Sequence, residues 1–475
     1  MPPGIPPALM EFMRADWAPR DPVVDGPSPA APYHAARRES LSARFPGDWL
    51  VVPTGNPKVR ANDTDYRFRP GTDFAWLTGS HEPDNVLVME PLAGGGHRAV
   101  LYAAPRSDRS TPAFFADRRY GELWVGPRLG LEETARLLEI DTAPLDDLPG
   151  VLKEAMGARV VRGFDATVDA AVAPADQDDD SDSDSDRDVE LVEALADMRL
   201  RKDDHEVACL EEAIAATILG FEDVVRALPD AQATSERWIE GTFNRRARTE
   251  GNDVGYDTIA ACGHHACTLH WVRNDGPVRP DELLLLDAGV EGPELYTADV
   301  TRTIPIGGVF TDAQREVHEV VWRAQQAGLA ECVPGRPFLA PHNAAVAVMT
   351  EWLVEVGILH CTVEQALDPE HKYHARYTLH GVSHMLGLDV HDCANARNGY
   401  REDELAPGMV LTVEPGCYFQ PDDLTVPERY RGIGVRIEDD VLITPDGHRV
   451  LSAALPSRAA DVESWMASLR RSPAA

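Results

Sequence analysis

The chain has 475 residues, 43% of them hydrophobic, a size that predicts two domains with a sizeable buried core. Its formal net charge of −34 argues against DNA, RNA and anionic membrane as partners, since those need basic surface. Seven cysteines with no Cys-x-x-Cys pair speak against a disulfide framework and fit a reducing cytoplasm.

Residues 1–35 are rich in proline and read as an N-terminal arm. They show no basic stretch leading into an apolar core with a cleavage site, and no apolar run in the chain is long enough for a membrane span. Residues 36–173 alternate strand-like runs with helical stretches such as Leu131–Ile140. The runs are Asp48–Val52, Phe74–Leu77, Asn85–Met89 and Ala99–Tyr102, the pattern of a small α/β domain. Residues 174–190 are nearly all Asp and Ser, with Arg187 as the sole opposing charge from Asp176 to Glu190. Such a segment has no apolar area to bury and reads as a linker.

Residues 191–460 return to helical and strand periodicity. Asp203 with Glu206 forms a predicted capping box, followed by Val207, Leu210, Ile214, Ile218, Phe221, Val225 and Leu228 on one helical face. Cys262-Gly-His264-His265-Ala-Cys267 matches no common zinc spacing and reads as strand and turn. Thr311 with Gln314 starts another helix, and Gly357 ends a third. Predicted strands are Leu283–Leu286, Val410–Val413 and Val435–Ile443. Two exit alike, in Leu-Leu-Asp287-Ala-Gly and Thr-Val-Glu414-Pro-Gly, hinting at a duplicated half-domain. Residues 461–475 read as a tail.

This region holds five potential metal ligands in the order Asp287, Asp299, His384, Glu414 and Glu438. Four carboxylates and one imidazole are too many hard ligands for one small cation, and suit two divalent metals sharing bridging carboxylates. Taken alone, Asp287 or Glu414 reads equally well as a turn residue. Glu438 alone reads better as the solvent-facing partner of Arg436 on a half-exposed strand. The segment from His380 through His384 to His391 is more informative, because three histidines among glycines and apolar residues are hard to explain as packing. They suggest one ligand with proton-handling or oxyanion-stabilising neighbours. His270, in Leu-His-Trp, is a fourth candidate that would otherwise read as a core histidine.

Taken together, five segments resemble the pita-bread metallopeptidases, and within them aminopeptidase P, the Xaa-Pro aminopeptidase. They are Asp287-Ala-Gly, Asp299-Val-Thr-Arg-Thr, the His380–Asp392 segment, Thr-Val-Glu414-Pro-Gly and Gly-Val-Arg436-Ile-Glu438-Asp-Asp. Arg67-Phe-Arg-Pro-Gly-Thr-Asp-Phe-Ala-Trp-Leu-Thr-Gly79 resembles that family's N-terminal domain. The resemblance implies an α+β chain in which a smaller α/β domain precedes a pita-bread catalytic domain. It implies removal of the N-terminal residue from peptides with proline in second position, through attack by a hydroxide bound between two metals. Asp287, Asp299, His384, Glu414 and Glu438 would hold the metals, with manganese favoured and cobalt or zinc as alternatives. Glu414 would also accept the water's proton, while His380 and His391 would steady the intermediate and pass protons. His270, Tyr256, Tyr418 and Arg436 would line the substrate site, and Trp124 would reach a neighbouring subunit's pocket in a homodimer or homotetramer. One departure is the spacing of Asp287 and Asp299, one residue longer than the family's, which the turn Val290–Glu294 should absorb.

An Xaa-Pro dipeptidase of the same fold is the first alternative, but Ser383 and Val426-Pro-Glu-Arg-Tyr-Arg-Gly-Ile-Gly434 resemble the aminopeptidase version. A methionine aminopeptidase would lack so large an N-terminal domain. A metal-free relative, or a non-catalytic binding protein on this scaffold, would have lost ligands that are all present here.

Overall fold

The computed structural model describes residues 6–18, 24–172, 183–396 and 399–471. The chain divides into two compact units, residues 1–195 and 196–475. Part of the expected arm, residues 1–5 and 19–23, lies outside the described residues, as do 173–182 of the acidic stretch and the last four of the tail.

In the first unit, helix α1 (Ala31–Arg44) starts within the expected arm and buries Leu41. The apolar run Leu50–Pro53 forms the fully buried strand β1. Val86–Pro91 (β2) and His97–Ala103 (β3) make an antiparallel hairpin, with Gly95 and Gly96 supplying positive φ at its turn. Asp141–Pro144 (β4) and Arg159–Val160 (β5) complete a sheet of order β4-β3-β2-β1-β5. Phe74–Leu77, expected as a strand, lies instead in helix α2 (Thr72–Thr78). A short apolar run buried on all sides has no periodicity to separate strand from helix. Here Gly79, at φ +69°, supplies a left-handed C-terminal stop.

The acidic residues that are described do not form an extended linker. Helix α3 (Ser183–Arg199) takes up the end of that stretch. There Asp188 accepts from the Arg162 guanidinium and the Val160 N–H, and Arg187 pairs with Asp48 at 2.8 Å. These ion pairs within the first unit compensate for the lack of apolar area.

The second unit is built from two similar halves. Helix α4 (Asp204–Ala231) opens with the Asp203/Glu206 capping box and packs on α5 (Glu236–Glu250). Ile259–Cys262 (β6), Leu283–Ala288 (β7) and Val300–Pro305 (β8) form an antiparallel sheet with β7 in the middle. In the second half α6 (Asp312–Ala330), capped by Thr311 and Gln314, packs on α7 (Ala340–Glu355). Gly357 follows α7 at φ +72°. Val410–Val413 (β9), Gly416–Tyr418 (β10), Gly434–Arg436 (β11), Asp439–Thr444 (β12) and Gly447–Val450 (β13) follow. They make a β9-β12-β13 sheet and a β10-β11 pair.

The single strand expected over Val435–Ile443 is therefore two strands. The chain changes partner at Ile437 and Glu438, whose N–H groups donate to Pro415 and Thr301 rather than to a neighbouring strand of either sheet. Arg302, 1% exposed, inserts here and donates to the Glu438 carbonyl at 2.6 Å and to Asp439 at 2.7 Å. Residues 461–471, expected as a tail, belong to helix α8 (Ala459–Arg471), which buries Val462, Met466 and Leu469 in the core. All seven cysteines are free, and Cys262 and Cys267 flank a strand end and a single 3₁₀ turn. Among the described residues, no helix is long and apolar enough to cross a membrane.

Candidate metal centre and substrate cavity

Both halves of the second unit deliver carboxylates at strand exits. Asp287, next to last in β7, pairs with Thr301 of β8, which places Asp299 near it. Between them Val290 and Glu291 pair with Val254 and Asp253, and the chain turns at Leu295, φ +69°. Glu414 leaves β9. Residues 382–386 run beside β9 as an irregular strand, with Glu414 N–H donating to the Val382 carbonyl and Thr412 N–H to that of His384. This ladder brings His384 to Glu414. The glycine in each exit motif permits a close approach. A Cβ on Gly289 would lie 1.7 Å from the Ala298 carbonyl oxygen, and one on Gly416 would lie 2.1 Å from the Tyr418 hydroxyl.

The five expected ligands all line one cavity of about 630 Å³. Asp299, His384 and Glu438 each offer a ligand atom within 4.8 Å of the others. His384 Nε2 lies 3.3 Å from Asp299 and 3.5 Å from Glu414. Its Nδ1 is 3.1 Å from the Met385 carbonyl, so that a neutral ring with its proton on Nδ1 would turn Nε2 to a cation as a lone-pair donor. The Tyr256 hydroxyl bridges Asp287 and Asp299 at 2.6 and 2.5 Å. Thr301 donates to Glu438 at 2.7 Å, and Arg436 pairs with Asp287. Glu438 is 1% exposed and Arg436 is 4% exposed. The alternation expected around them holds, but their shared face lines the cavity rather than solvent.

Burial and neighbouring carboxylates push three of these carboxyls up: Asp287 against the pull of Arg436, Glu438 well above its usual range, and Glu414 to about 7. Burial opposes a charge on His384, but Asp299 and Glu414 outweigh it and lift the imidazole to about 9. Such crowded, buried negative charge is stable when a cation neutralises it. The oxygen-rich donor set with one imidazole nitrogen fits divalent metal ions.

The other candidate residues divide clearly. His380, His391, His270, Tyr256 and Arg436 line the cavity. His380 Nε2 is 2.8 Å from the Tyr418 hydroxyl, which accepts from Arg436 at 3.0 Å. Burial, with help from Arg436, lowers His380 to about 4 and keeps it neutral. The His391 ring stands edge-on to His384 with centroids 4.3 Å apart. Trp124 is not among the lining residues. It sits in the first unit, 51% exposed, with its indole N–H on the Phe115 carbonyl.

Sequence reasoning did not select several further residues here. Asp440 is fully buried, accepts the Asp299 N–H at 3.2 Å, and is pushed up by burial and by Asp299. Its position directly after Glu438-Asp439 was the available signal. Ile259, Leu269, Val272, Val390 and Tyr400 form the apolar part of the wall, and Asp257 and Arg401 add charge. They carry no motif, because a cavity wall is assembled from distant segments.

Residues 208–445 match metallopeptidase family M24, and residues 34–161 match the aminopeptidase P N-terminal domain. The chain is 53% identical to Xaa-Pro aminopeptidase 1 of Streptomyces coelicolor, over 98% of this chain and 94% of that protein. Among solved structures it is similar to proline aminopeptidase P II from Yersinia pestis, with 32% identity, a TM-score of 0.81, and coverage of 92% and 99%. It is also similar to zinc-substituted Escherichia coli aminopeptidase P in complex with product, with 30% identity, a TM-score of 0.81, and coverage of 94% and 100%.

Proposed function

This chain belongs to metallopeptidase family M24, and from that premise we propose that it is a metal-dependent Xaa-Pro aminopeptidase. Its fold is a pita-bread catalytic domain behind an aminopeptidase P N-terminal domain. The observation that carries the functional reading is the convergence of Asp287, Asp299, His384, Glu414 and Glu438 on one cavity that His270, His380 and His391 also line.

Within the proposed site, Asp287, Asp299, His384, Glu414 and Glu438 hold two divalent cations. Manganese suits the carboxylate-rich set, with cobalt or zinc as alternatives. When bound, the cations supply a water whose pKa falls towards about 7 and polarise the scissile carbonyl. Glu414 would also accept the proton of the attacking water, since its carboxyl lies within the ligand cluster and lines the cavity. Its Oε2 lies 3.6 Å from His380 Nδ1, so His380 is placed to steady the charge that develops on the carbonyl oxygen. His391 also lines the cavity and would pass a proton to the leaving nitrogen, while His270 lines the substrate site. A proline nitrogen carries no N–H in the peptide, so it must gain a proton as it leaves. Tyr256 fixes Asp287 and Asp299, while Arg436 and Tyr418 fix Asp287 and His380. The exposed indole of Trp124 supports a role at a neighbouring subunit's site, in a homodimer or homotetramer. A cytoplasmic location agrees with seven free cysteines.

Chelation followed by manganese add-back tests the metal dependence. Xaa-Pro cleavage should disappear with the metal and return with it. Full cleavage by the metal-stripped protein would contradict the proposed site.

A further inference from the structure

The segment from Cys262 to Gly276 forms the wall that carries Leu269, His270 and Val272 into the cavity. Residues 268–273 form no helix or strand, and His270 and Val272 are exposed. Regular backbone pairing therefore does not hold this wall in place. A buried carboxylate behind it does. Glu236, at the first position of α5, is 0% exposed and receives four hydrogen bonds from this one segment. Its Oε1 takes the Cys262 N–H at 2.7 Å and His265 Nδ1 at 2.8 Å. Its Oε2 takes the Trp271 indole N–H at 2.9 Å and the Gly276 N–H at 2.7 Å. The Glu236 N–H in turn donates to the Gly276 carbonyl at 3.0 Å.

Trp271 is the link to the cavity. Its neighbours His270 and Val272 face the cavity, while Trp271 points the other way and stacks on His265 with centroids 3.9 Å apart. The fit is tight, since a Cβ on Gly276 would lie 2.3 Å from the His265 ring and 2.8 Å from a Glu236 oxygen. Asn274 secures the far end of the loop through Ala260 N–H and the Thr258 carbonyl.

We infer that Glu236 is a positioning residue for substrate recognition, fixing the place of His270 by holding the Cys262–Gly276 wall from behind. The inference rests on the Xaa-Pro aminopeptidase reading. Glu236 touches no ligand of the proposed metal centre, so it acts through the wall and not through the metals.

The test is a double-mutant cycle of Glu236→Gln with His270→Ala, read as kcat/KM on Arg-Pro-Pro, together with hydrogen exchange and metal content. Glutamine keeps two acceptor bonds and loses two. Glu236→Gln should lower kcat/KM about tenfold in the native background. The loss should shrink below about twofold when His270 is already absent. Exchange should rise within residues 262–276 and not in β7 or β9, with metal content unchanged. Equal losses in both backgrounds, or unchanged exchange in 262–276, would overturn the inference. If Glu236→Gln does not fold, Trp271→Phe removes one of the four bonds without removing a charge, and the same comparisons apply. A native protein that cannot cleave Arg-Pro-Pro at all would instead count against the functional reading itself.

Discussion

At the scale of single residues, neighbours decide what each titratable group can do. His384 and His380 lie four positions apart, yet Asp299 and Glu414 raise one to about 9 while burial, with Arg436, lowers the other to about 4. The proposed division of labour, a ligand and a neutral charge handler, rests on position as well: His384 Nε2 sits among Asp299 and Glu414, whereas His380 Nε2 meets the Tyr418 hydroxyl. His380→Ala should lower kcat by roughly 10²–10⁴-fold with metal stoichiometry unchanged, whereas His384→Ala should lose metal. Metal analysis of the two purified variants decides this, and metal loss in His380→Ala would remove the distinction. A different histidine bears on stability. His318 is fully buried, and a hydrogen bond with the Thr303 backbone favours its charged form only weakly against that burial. Burial, reinforced by Arg302, lowers it to about 3. The unfolded imidazole, near pKa 6.5, binds a proton that the folded one refuses. His318 therefore adds no pH-dependent cost above that value, and stability falls as the pH drops from there towards 3. His318→Leu should flatten that fall in a series of melting curves against pH, and an unchanged slope would contradict this assignment. Sequence reading could bring the proposed ligands to one site because the motifs fix residue types around them. It could not see that Glu438 is buried, since strand alternation fixes the face of a residue but not what covers it.

At the scale of elements, local chemistry was the most legible part of the chain. The capping boxes at Asp203/Glu206 and Thr311/Gln314 are present as read, because each is a reciprocal pair of hydrogen bonds within four residues. Asp203→Ala should destabilise the protein by about 1 kcal/mol in denaturant unfolding, and a neutral result would show that α4 is held by packing alone. Strands were less legible where the chain switches partners. Val435–Ile443 alternates from Val435 to Glu438, meets Asp439-Asp440 and turns apolar again at Val441, and where it divides Arg302 inserts from another strand. Phe74–Leu77 failed for the opposite reason, being apolar without a period. The two strand exits with an acid and a glycine carried more meaning than either alone. Their glycines sit where any Cβ would strike the Ala298 carbonyl or the Tyr418 hydroxyl.

At the scale of the whole molecule, the separation of roles follows the two units. The first supplies a mixed sheet and an exposed Trp124, and the second contains every residue of the proposed metal centre. The cavity wall of Ile259, Leu269, Val272, Val390 and Tyr400 was not legible, because it comes from segments with no shared motif. The distinction between an aminopeptidase and a dipeptidase belongs to this scale, since the proposed ligand set does not by itself decide the length of the substrate. The most direct measurement is therefore cleavage of Arg-Pro-Pro beside the dipeptide Arg-Pro by the manganese-loaded protein. Release of arginine from the tripeptide is the predicted result, and efficient cleavage of the dipeptide alone would contradict the aminopeptidase assignment.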